Sequence, residues 1–269
     1  MNLENRVAVI TGAGGGIGRA TALSLARRGC HLALADIDES GLAETHAQAL
    51  HSGVHASKHP LDVADRAAVA ALPAEVLKSH NGVDLLINNA GVALGGHFDQ
   101  LSETDFDWLM EINFHGVVRM TRAFLPLLRA SDDARIVNIS SVFGLISPPG
   151  QSAYSASKFA VRGFSNALRH ELSGTRVGVT VVHPGGVATA IARNARVAAD
   201  TSAEEKRRRL ALAEKLLRLA PETAAQIIVR GIEKRRARIL VGRDAVFIAL
   251  IERLFPVKYW SVLGRGIPT

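Results

Sequence analysis

The sequence predicts an α/β fold, a single doubly wound parallel sheet with helices on both faces. Short runs rich in Val, Ile and Leu recur at regular intervals, and they are apolar at successive positions. Such runs are typical of strands in a parallel sheet that is covered on both sides. Segments with helical periodicity alternate with these runs along the chain. Alternating strands and helices form βαβ units with right-handed crossovers, which is the pattern of a doubly wound sheet.

The candidate strands number about seven, as expected for a sheet of this kind. They are residues 6–11, 31–36, 54–60, 83–88, 135–140, 177–183 and 237–241, of which 54–60 is the weakest. The segments with helical periodicity are residues 16–28, 40–50, 65–80, 104–129, 152–173 and 222–234. No repeat or low-complexity tract interrupts this pattern, so we expect one domain over residues 1–269.

The pattern changes in two segments. Residues 190–220 are polar and basic, and we expect a substrate-side insertion at the carboxyl edge of the sheet, where such folds bind ligands. Residues 245–269 form an apolar C-terminal segment that charged residues interrupt, so it does not span a bilayer. Three interpretations of this segment stay open: core or subunit packing, a lid over an apolar substrate pocket, and a peripheral membrane contact beside basic residues.

Composition and charge exclude several classes of protein. Cys30 is the single cysteine, so an intrachain disulfide is excluded and a reducing, cytoplasmic location is predicted. The N-terminus lacks the pattern of a secretory signal, and no stretch of about 18 apolar residues occurs. The net charge of +7 comes from residues 191–269, which carry +9, whereas residues 1–190 carry −2. We interpret the excess as solvated surface and expect no nucleic-acid partner, since no binding module accompanies it.

Two further groups of residues invite functional interpretations that we do not favour. His46, His51, His55 and His59 are close in sequence, but their spacing matches no metal motif, so no metal site is predicted. The basic run 206–209 could hold an acidic substrate, although such a run is more often the solvated face of a helix.

A glycine-rich turn follows the first strand and opens the first helix. Its residues Gly12, Gly14, Gly16, Ile17 and Gly18 leave room for the backbone to turn tightly and to approach a pyrophosphate. The free N–H groups and the positive dipole end of the helix then face the phosphates. This strand–turn–helix unit predicts a Rossmann-like dinucleotide site.

Asp36 ends the second strand, 24 residues after Gly12. A carboxylate at this place accepts the ribose hydroxyls of NAD and repels the 2′-phosphate of NADP. Ile37 follows it, where an arginine could have paired with that phosphate. The sequence therefore favours NAD over NADP as the cofactor.

Tyr154 and Lys158 stand four residues apart on a predicted helix, so their side chains share one face. A phenol has a pKa near 10, which is too high for a base at neutral pH. A nearby ammonium favours the phenolate. Tyr154 could then accept a proton from an alcohol, or return it to a carbonyl compound.

These motifs, taken in order, resemble those of the short-chain dehydrogenase/reductases over about residues 4–190. The resemblance rests on the glycine pattern, on Tyr154-x-x-x-Lys158, and on the segments Leu61-Asp62-Val63, Asn88-Asn89-Ala90-Gly91, Asn113, Ser141 and Pro184-Gly185-Gly186-Val187-Ala188-Thr189.

The resemblance implies a role for each of these positions. Ser141 would bind the substrate oxygen, Asn113 would hold a water of a proton relay, and Lys158 would also bind the nicotinamide ribose. Ser140 could compete with Ser141, but the 13-residue spacing to Tyr154 favours Ser141. The remaining positions would contact the cofactor: Asp62 and Val63 at the adenine, Asn89, Ala90 and Gly91 beside it, and Pro184, Gly185, Val187 and Thr189 at the nicotinamide. It also implies a homodimer or homotetramer built on helices 104–129 and 152–173.

Two classes of function fit the sequence. The first is an oxidoreductase that transfers a hydride between NAD(H) and a secondary alcohol or ketone. Phe143, Leu145, Ile146, Val187 and the C-terminal segment favour a mainly apolar small-molecule substrate, lipid-, steroid- or retinoid-like. The alternative is an NAD(H)-binding sensor or scaffold subunit whose catalysis is incidental.

Overall fold

A computed structural model describes residues 1–199 and 201–264. Seven parallel strands form one sheet in the order β3-β2-β1-β4-β6-β7-β9, and β5 pairs with β8 in a separate two-stranded ribbon. The strands are β1 Val7–Thr11, β2 His31–Asp36, β3 Ala56–Pro60, β4 Leu85–Asn88, β5 Leu94–Gly95, β6 Ala134–Ile139, β7 Val177–Pro184, β8 Arg196–Val197 and β9 Arg238–Val241. The predicted doubly wound fold is confirmed, and the predicted strands agree with the sheet to within two residues at their ends.

The helices cover both faces of this sheet. They are α1 Gly16–Ala26, α2 Glu39–Leu50, α3 Arg66–Leu77, α4 Glu103–Met110, α5 Gly116–Ala130, α6 Ser152–Glu171, α7 Ala203–Leu216, α8 Pro221–Glu233, α9 Arg243–Leu254 and α10 Tyr259–Leu263. Alternate strand residues enter two separate cores: Ala8 and Ile10 pack on the α1 and α8 side, and Val9 packs on the α3, α5 and α6 side. This burial on both faces explains why the strands are continuous apolar runs.

The predicted helix over 104–129 is wrong in one respect, because the structure divides it into three parts. A π-helical turn, Glu111–His115, separates α4 from α5. Such a turn holds one more residue than an α-helical turn and often lies at a functional site. It carries Asn113, which is fully buried.

The two unusual segments contain regular structure. Residues 190–220 include β8 and α7, and residues 243–263 form α9 and α10. The last five residues of the predicted C-terminal segment, 265–269, lie outside the described residues. Within the described part of the chain, no helix is long and apolar enough to cross a membrane.

Chain order reverses on either side of β1, which lies between β2 and β4. Parallel sheets of this kind bind ligands at such a reversal, outside the carboxyl ends of the strands. The glycine-rich turn follows β1, and Asn89 follows β4, so both lie at this position.

Candidate active site

The glycine-rich turn is shaped by close backbone approaches. Gly12 has φ +65°, and a Cβ there would lie 2.7 Å from the Asn89 Nδ2 atom. Gly16 has φ +52°, and a Cβ on Gly18 would collide with the Gly12 carbonyl oxygen. L side chains rarely adopt the positive φ of Gly12 and Gly16, and there is no room for a Cβ at Gly18, so all three positions require glycine. The resulting cradle, at the N-terminus of α1, fits a dinucleotide pyrophosphate.

The segment after β4 is fastened to this turn. The Thr11 hydroxyl oxygen accepts hydrogen bonds from the backbone N–H groups of Asn89 (3.0 Å) and Ala90 (3.1 Å). The Asn89 amide donates to the carbonyl oxygens of Thr11 and Gly12, at 3.0 Å each. Gly91 follows, and a Cβ on it would lie 3.1 Å from Asn113 Oδ1 and 3.4 Å from Lys158 Nζ. The segment therefore links the glycine turn to the predicted catalytic residues.

Asp36 lies beside the glycine turn. Its Oδ2 accepts a hydrogen bond from Gly14 N (2.6 Å), and its Oδ1 accepts one from Asp38 N (2.9 Å). Ile37 is 70% exposed. The nearest basic side chain on α1, Arg19, is already bound to Glu44 (2.8 Å) and to the Gly14 carbonyl oxygen (2.5 Å). The local charge at the end of β2 is thus negative.

Tyr154 and Lys158 share one face of α6, as predicted. The Lys158 ammonium lies 5.6 Å from the centre of the Tyr154 ring and donates to the Ile139 carbonyl oxygen (3.3 Å). Burial lowers the pKa of Lys158 to about 8. Burial also raises the pKa of Tyr154 to about 12, and a hydrogen bond with Ser141 acts in the opposite direction. The structure therefore brings Ser141, Tyr154 and Lys158 together.

The two neighbouring serines have different partners. Ser140 is buried, and its hydroxyl donates to the Lys158 carbonyl oxygen (2.8 Å). Ser141 begins a 3-10 turn, Val142–Gly144, and its hydroxyl oxygen accepts from Phe143 N (3.1 Å). Because the Ser140 hydroxyl proton is already donated to the backbone, Ser141 is the serine available beside Tyr154.

Asn113 is fixed by the chain opposite it. Its Oδ1 accepts from Val92 N (2.8 Å), and its Nδ2 donates to the Val92 carbonyl oxygen (3.0 Å) and to Ser157 Oγ (3.2 Å). The amide thus joins the π-helical turn, the segment after β4 and α6. This arrangement sets the spacing between the glycine turn and the helix that carries Tyr154.

The remaining predicted cofactor residues lie at the ends of β3 and β7. Asp62 is exposed and accepts from Ala64 N (2.8 Å), whereas Val63 is buried against Gly116. After Pro184, the chain brings Thr189 to the glycine turn, where its Cγ2 lies 3.1 Å from the Cβ position of Gly16.

Sequence reasoning missed Asp244, which shapes the segment after β7. Its carboxylate accepts from Gly186 N (2.6 Å), and a Cβ on Gly185 would collide with it. Val187 pairs with Leu219, so this segment is held from two sides. Asp244 lies 58 residues from Gly186, between the predicted strand 237–241 and the predicted C-terminal segment 245–269, and no motif signals the contact.

The segment 190–220 contacts the loop before α6 and the segment after β7. Cβ positions on Gly95 and Gly150 would lie 2.8 Å and 4.0 Å from guanidinium nitrogens of Arg209 on α7. The C-terminal end of α7 reaches Gly186, where a Cβ would collide with the Leu216 carbonyl oxygen. This helix therefore extends from the loop before α6 to the segment after β7.

The histidine-rich part of the chain forms a network of ordinary contacts. The rings of His55 and His80 lie 4.8 Å apart, and the Ser57 hydroxyl bonds to both His59 and His80. In residues 1–199 and 201–264, no group of three or more His, Cys, Asp or Glu residues is arranged to hold a metal ion.

Comparisons with known proteins identify the family of this chain. The family model of the short chain dehydrogenases matches residues 6–200. A putative oxidoreductase, SadH, of Mycobacterium tuberculosis is 47% identical over 272 residues, which cover 99% of this chain and 96% of that protein. A short chain dehydrogenase/reductase of Burkholderia phymatum, solved with NAD, is 33% identical with a TM-score of 0.87 and 95% coverage of both chains.

A second solved structure carries a different cofactor. An alcohol dehydrogenase of Thermococcus sibiricus, complexed with 5-hydroxy-NADP, is 28% identical with a TM-score of 0.75, and covers 88% of this chain and 96% of its own.

The chain belongs to the short-chain dehydrogenase/reductase family, as its motifs predicted. It is an oxidoreductase of that family with a fold that binds a nicotinamide dinucleotide. The glycine cradle, from which side chains are excluded, fits such a cofactor.

Proposed function

We propose that the protein transfers a hydride between NAD(H) and a secondary alcohol or ketone that is mainly apolar. The observation that carries the proposal is the grouping of Ser141, Tyr154 and Lys158 next to the glycine turn. A sensor or scaffold needs the dinucleotide cradle, but it has no use for an acid–base group beside it.

The side chains divide the proton chemistry between them. When it is bound, the nicotinamide ring accepts or donates the hydride. Tyr154 Oη takes the proton of the alcohol during oxidation and returns it during reduction. Ser141 donates a hydrogen bond to the substrate oxygen as negative charge develops there. Lys158 carries the positive charge that favours the phenolate and binds the ribose, and Asn113 holds the water that leads the proton away.

Asp36 supports NAD over NADP. Its carboxylate occupies the end of β2, and Arg19 is bound to Glu44 and to the backbone, so it does not offset the charge. A 2′-phosphate beside Asp36 would suffer a like-charge repulsion of up to several kcal/mol.

An apolar substrate is supported by the surroundings of Tyr154. The ring of Phe143 meets the ring of Tyr154 edge to face, with centres 6.0 Å apart. Leu94 and Leu109 are buried in one apolar cluster, and Trp108 and Tyr154 pack against it. Leu145, Ile146 and Val187 are buried, and they support the walls of this region. We further propose that α7 covers the substrate, because it spans the region from Gly150 to Gly186.

The first experiment follows NAD⁺ reduction by absorbance over a panel of primary, secondary, steroid and sugar alcohols. We expect turnover with apolar secondary alcohols. Tyr154→Phe should lower kcat roughly 10²- to 10⁴-fold while NADH binding stays intact, because only the acid–base group is lost. Tyr259→Phe removes the same atom from the only other tyrosine, and should keep turnover within a few-fold.

Two outcomes would contradict the proposal. Turnover of small polar sugars alone would overturn the substrate class. Tight NADH binding by the wild type without turnover of any substrate in the panel would favour the sensor or scaffold function.

The same assay with NADP⁺ tests the cofactor preference. We expect kcat/KM to favour NAD⁺, and Asp36→Ala to raise the relative kcat/KM for NADP⁺ on the order of tenfold or more. Glu39→Ala, which removes an exposed carboxylate at the start of α2, is the control for general charge. A preference that does not change in Asp36→Ala would show that Asp36 does not set it.

We also propose two contacts at the surface. The face of α5 and α6 would join copies of the chain into a homodimer or homotetramer, as in the family. The apolar face of α9 would contact a membrane surface from the cytoplasmic side. The cytoplasmic location stays a prediction from the single cysteine.

A further inference from the structure

Three hydrogen bonds hold the segment that carries Ser141. Ser140 Oγ donates to the Lys158 carbonyl oxygen (2.8 Å), and Arg162 Nη1 donates to the Gly144 carbonyl oxygen (3.2 Å). The third joins His183 Nδ1 to the carbonyl oxygen of Ser141 itself (2.9 Å). Lys158 and Arg162, the partners in the first two bonds, lie on α6, whereas His183 lies on β7. The serine is therefore located relative to both the helix of Tyr154 and the sheet.

The hydrogen bond fixes the state of the His183 ring. A carbonyl oxygen can only accept, so Nδ1 carries the hydrogen and Nε2 has a lone pair. The ring is fully buried, and burial lowers the pKa of His183 to about 4. Arg238 on β9 and Arg162 on α6 face it and oppose protonation further, while Glu252 lies near Arg238. At neutral pH the ring is uncharged, in one tautomer, with one donor.

A histidine at this position of β7 is unfavourable for stability, because it places a polar ring on a buried apolar face of the strand. Val177, Val179 and Val181 occupy the same face of the strand and are buried apolar residues. At residue 183 an imidazole replaces that pattern, and its Nε2 has no hydrogen-bond partner among the described residues. A buried polar atom without a partner lowers the stability of the folded protein. Such a cost is expected where a side chain serves the site rather than the core.

We propose that His183 is a positioning residue for Ser141, with Arg162 as its second support on the same turn. The inference rests on the proposed role of Ser141. The hydroxyl of Ser141 is held on the same turn, where it accepts a hydrogen bond from Phe143 N (3.1 Å), so a displacement of this backbone or a rotation of its peptide groups would alter the position of the hydroxyl relative to Tyr154. The hydrogen bond from His183 to the Ser141 carbonyl oxygen resists such changes.

The test compares two substitutions of His183 with a control. His183→Leu removes the donor, and we expect kcat to fall roughly 10- to 100-fold, the scale for small misplacement of a reacting group. The affinity for NADH should change less than twofold. His183→Asn keeps an amide donor near the place of Nδ1 and should restore most of kcat. Val179→Ala weakens the same face of β7 away from Ser141, and should lower the melting temperature without lowering kcat.

The pH profile separates positioning from stability. The hydrogen bond with Ser141 lowers the pKa of Tyr154. In His183→Leu this effect weakens, so the acid limb of kcat for alcohol oxidation should move to higher pH. Arg162→Met, which loses the bond to Gly144, should shift kcat and the limb in the same direction by less, and it serves if His183→Leu does not fold.

Four outcomes decide the proposal. Equal loss in His183→Leu and His183→Asn, or a lower melting temperature with wild-type kcat in both, would overturn the role of His183. Ser141→Ala is assayed first. If it keeps wild-type kcat, the proposed role of Ser141 fails, whereas an inactive Ser141→Ala with an active His183→Leu contradicts only the positioning role.

Discussion

Lys158 is a buried lysine, with only 4% of its surface exposed to solvent. Its ammonium donates to the Ile139 carbonyl oxygen, and Gly91 lies beside it, where a Cβ would be 3.4 Å from the ammonium nitrogen. Removing an ammonium from water disfavours the charged form, and this lowers the pKa from 10.5 to about 8. Before cofactor and substrate bind, the protein therefore holds this charge at a cost in stability.

The pH dependence of that cost is a direct prediction. Between pH 8 and 10.5 the unfolded chain binds more protons at Lys158 than the folded protein does, so this contribution to stability rises with pH. We expect Lys158→Met to gain up to about 3 kcal/mol over the wild type at pH 7, and to lose that advantage as the pH approaches 10. Urea unfolding of both proteins without cofactor measures it.

Lys234→Met provides the matched control. Lys234 is exposed at the end of α8, so Lys234→Met should not reproduce the gain in stability expected of Lys158→Met at pH 7. A constant difference for Lys158→Met across the same range would mean that the buried ammonium is not destabilised.

Residues that act through short motifs could be predicted from the sequence, and those that act through distant contacts could not. The spacing of Tyr154 and Lys158 places both on one helical face in any α-helix. His183 and Asp244 act on atoms 42 and 58 residues away in the chain, and only the pairing of β6, β7 and β9 brings them there. Local pattern contains no information about such pairs.

At the scale of elements, the π-helical turn between α4 and α5 is the main departure from the predicted fold. Apolar residues repeat on both sides of it, so a periodicity argument joins them into one helix. One extra residue in a turn rotates the following side chains by about 100°. That rotation changes which residue faces the site, and here it directs Asn113 towards Val92.

Asn113→Ala tests how this turn is held. The substitution leaves the partly buried N–H and C=O of Val92 without their amide partner, and the loss of such hydrogen bonds costs about 1–3 kcal/mol in all. We expect urea unfolding to show a loss of that size, and activity to fall because α6 is no longer joined to the segment after β4. Gln48→Ala, on the exposed face of α2, should change stability by less than about 0.5 kcal/mol. An unchanged free energy of unfolding in Asn113→Ala would show that the turn does not depend on the amide.

At the scale of the whole molecule, the sheet could be predicted and the outer segments could not. Strands buried on two faces leave a pattern in the sequence, because both cores select apolar residues. The helices α7 and α9 lie outside these cores, and the described residues of α7 include no buried side chain. Residues of these helices lie close to Gly95, Gly150, Gly186 and Gly242. A glycine in the sequence does not indicate which element packs against it, so these contacts could not be predicted.

The apolar C-terminal segment does not join the core of its own chain along one face. Phe247, Leu250 and Leu254 on α9 are each more than half exposed, and Val257 after it is 89% exposed. Exposed basic residues border the same face, namely Arg243, Arg253 and Lys258. A symmetric contact between two copies would place this patch against itself, with like charges close together. An anionic membrane surface instead accepts both the apolar and the basic side chains.

Flotation with lipid vesicles tests this proposal. We expect the protein to bind phosphatidylcholine vesicles that contain phosphatidylglycerol, and to bind pure phosphatidylcholine vesicles or high-salt samples weakly. Phe247→Ser should weaken binding roughly tenfold, since a buried aromatic side chain contributes on the order of 1.5–3 kcal/mol. Leu50→Ser, at a site of similar exposure (48%) on α2, should bind like the wild type. If Phe247→Ser instead dissociates an oligomer in sedimentation, and the wild type ignores anionic vesicles, the α9 face is a subunit interface and the membrane proposal is wrong.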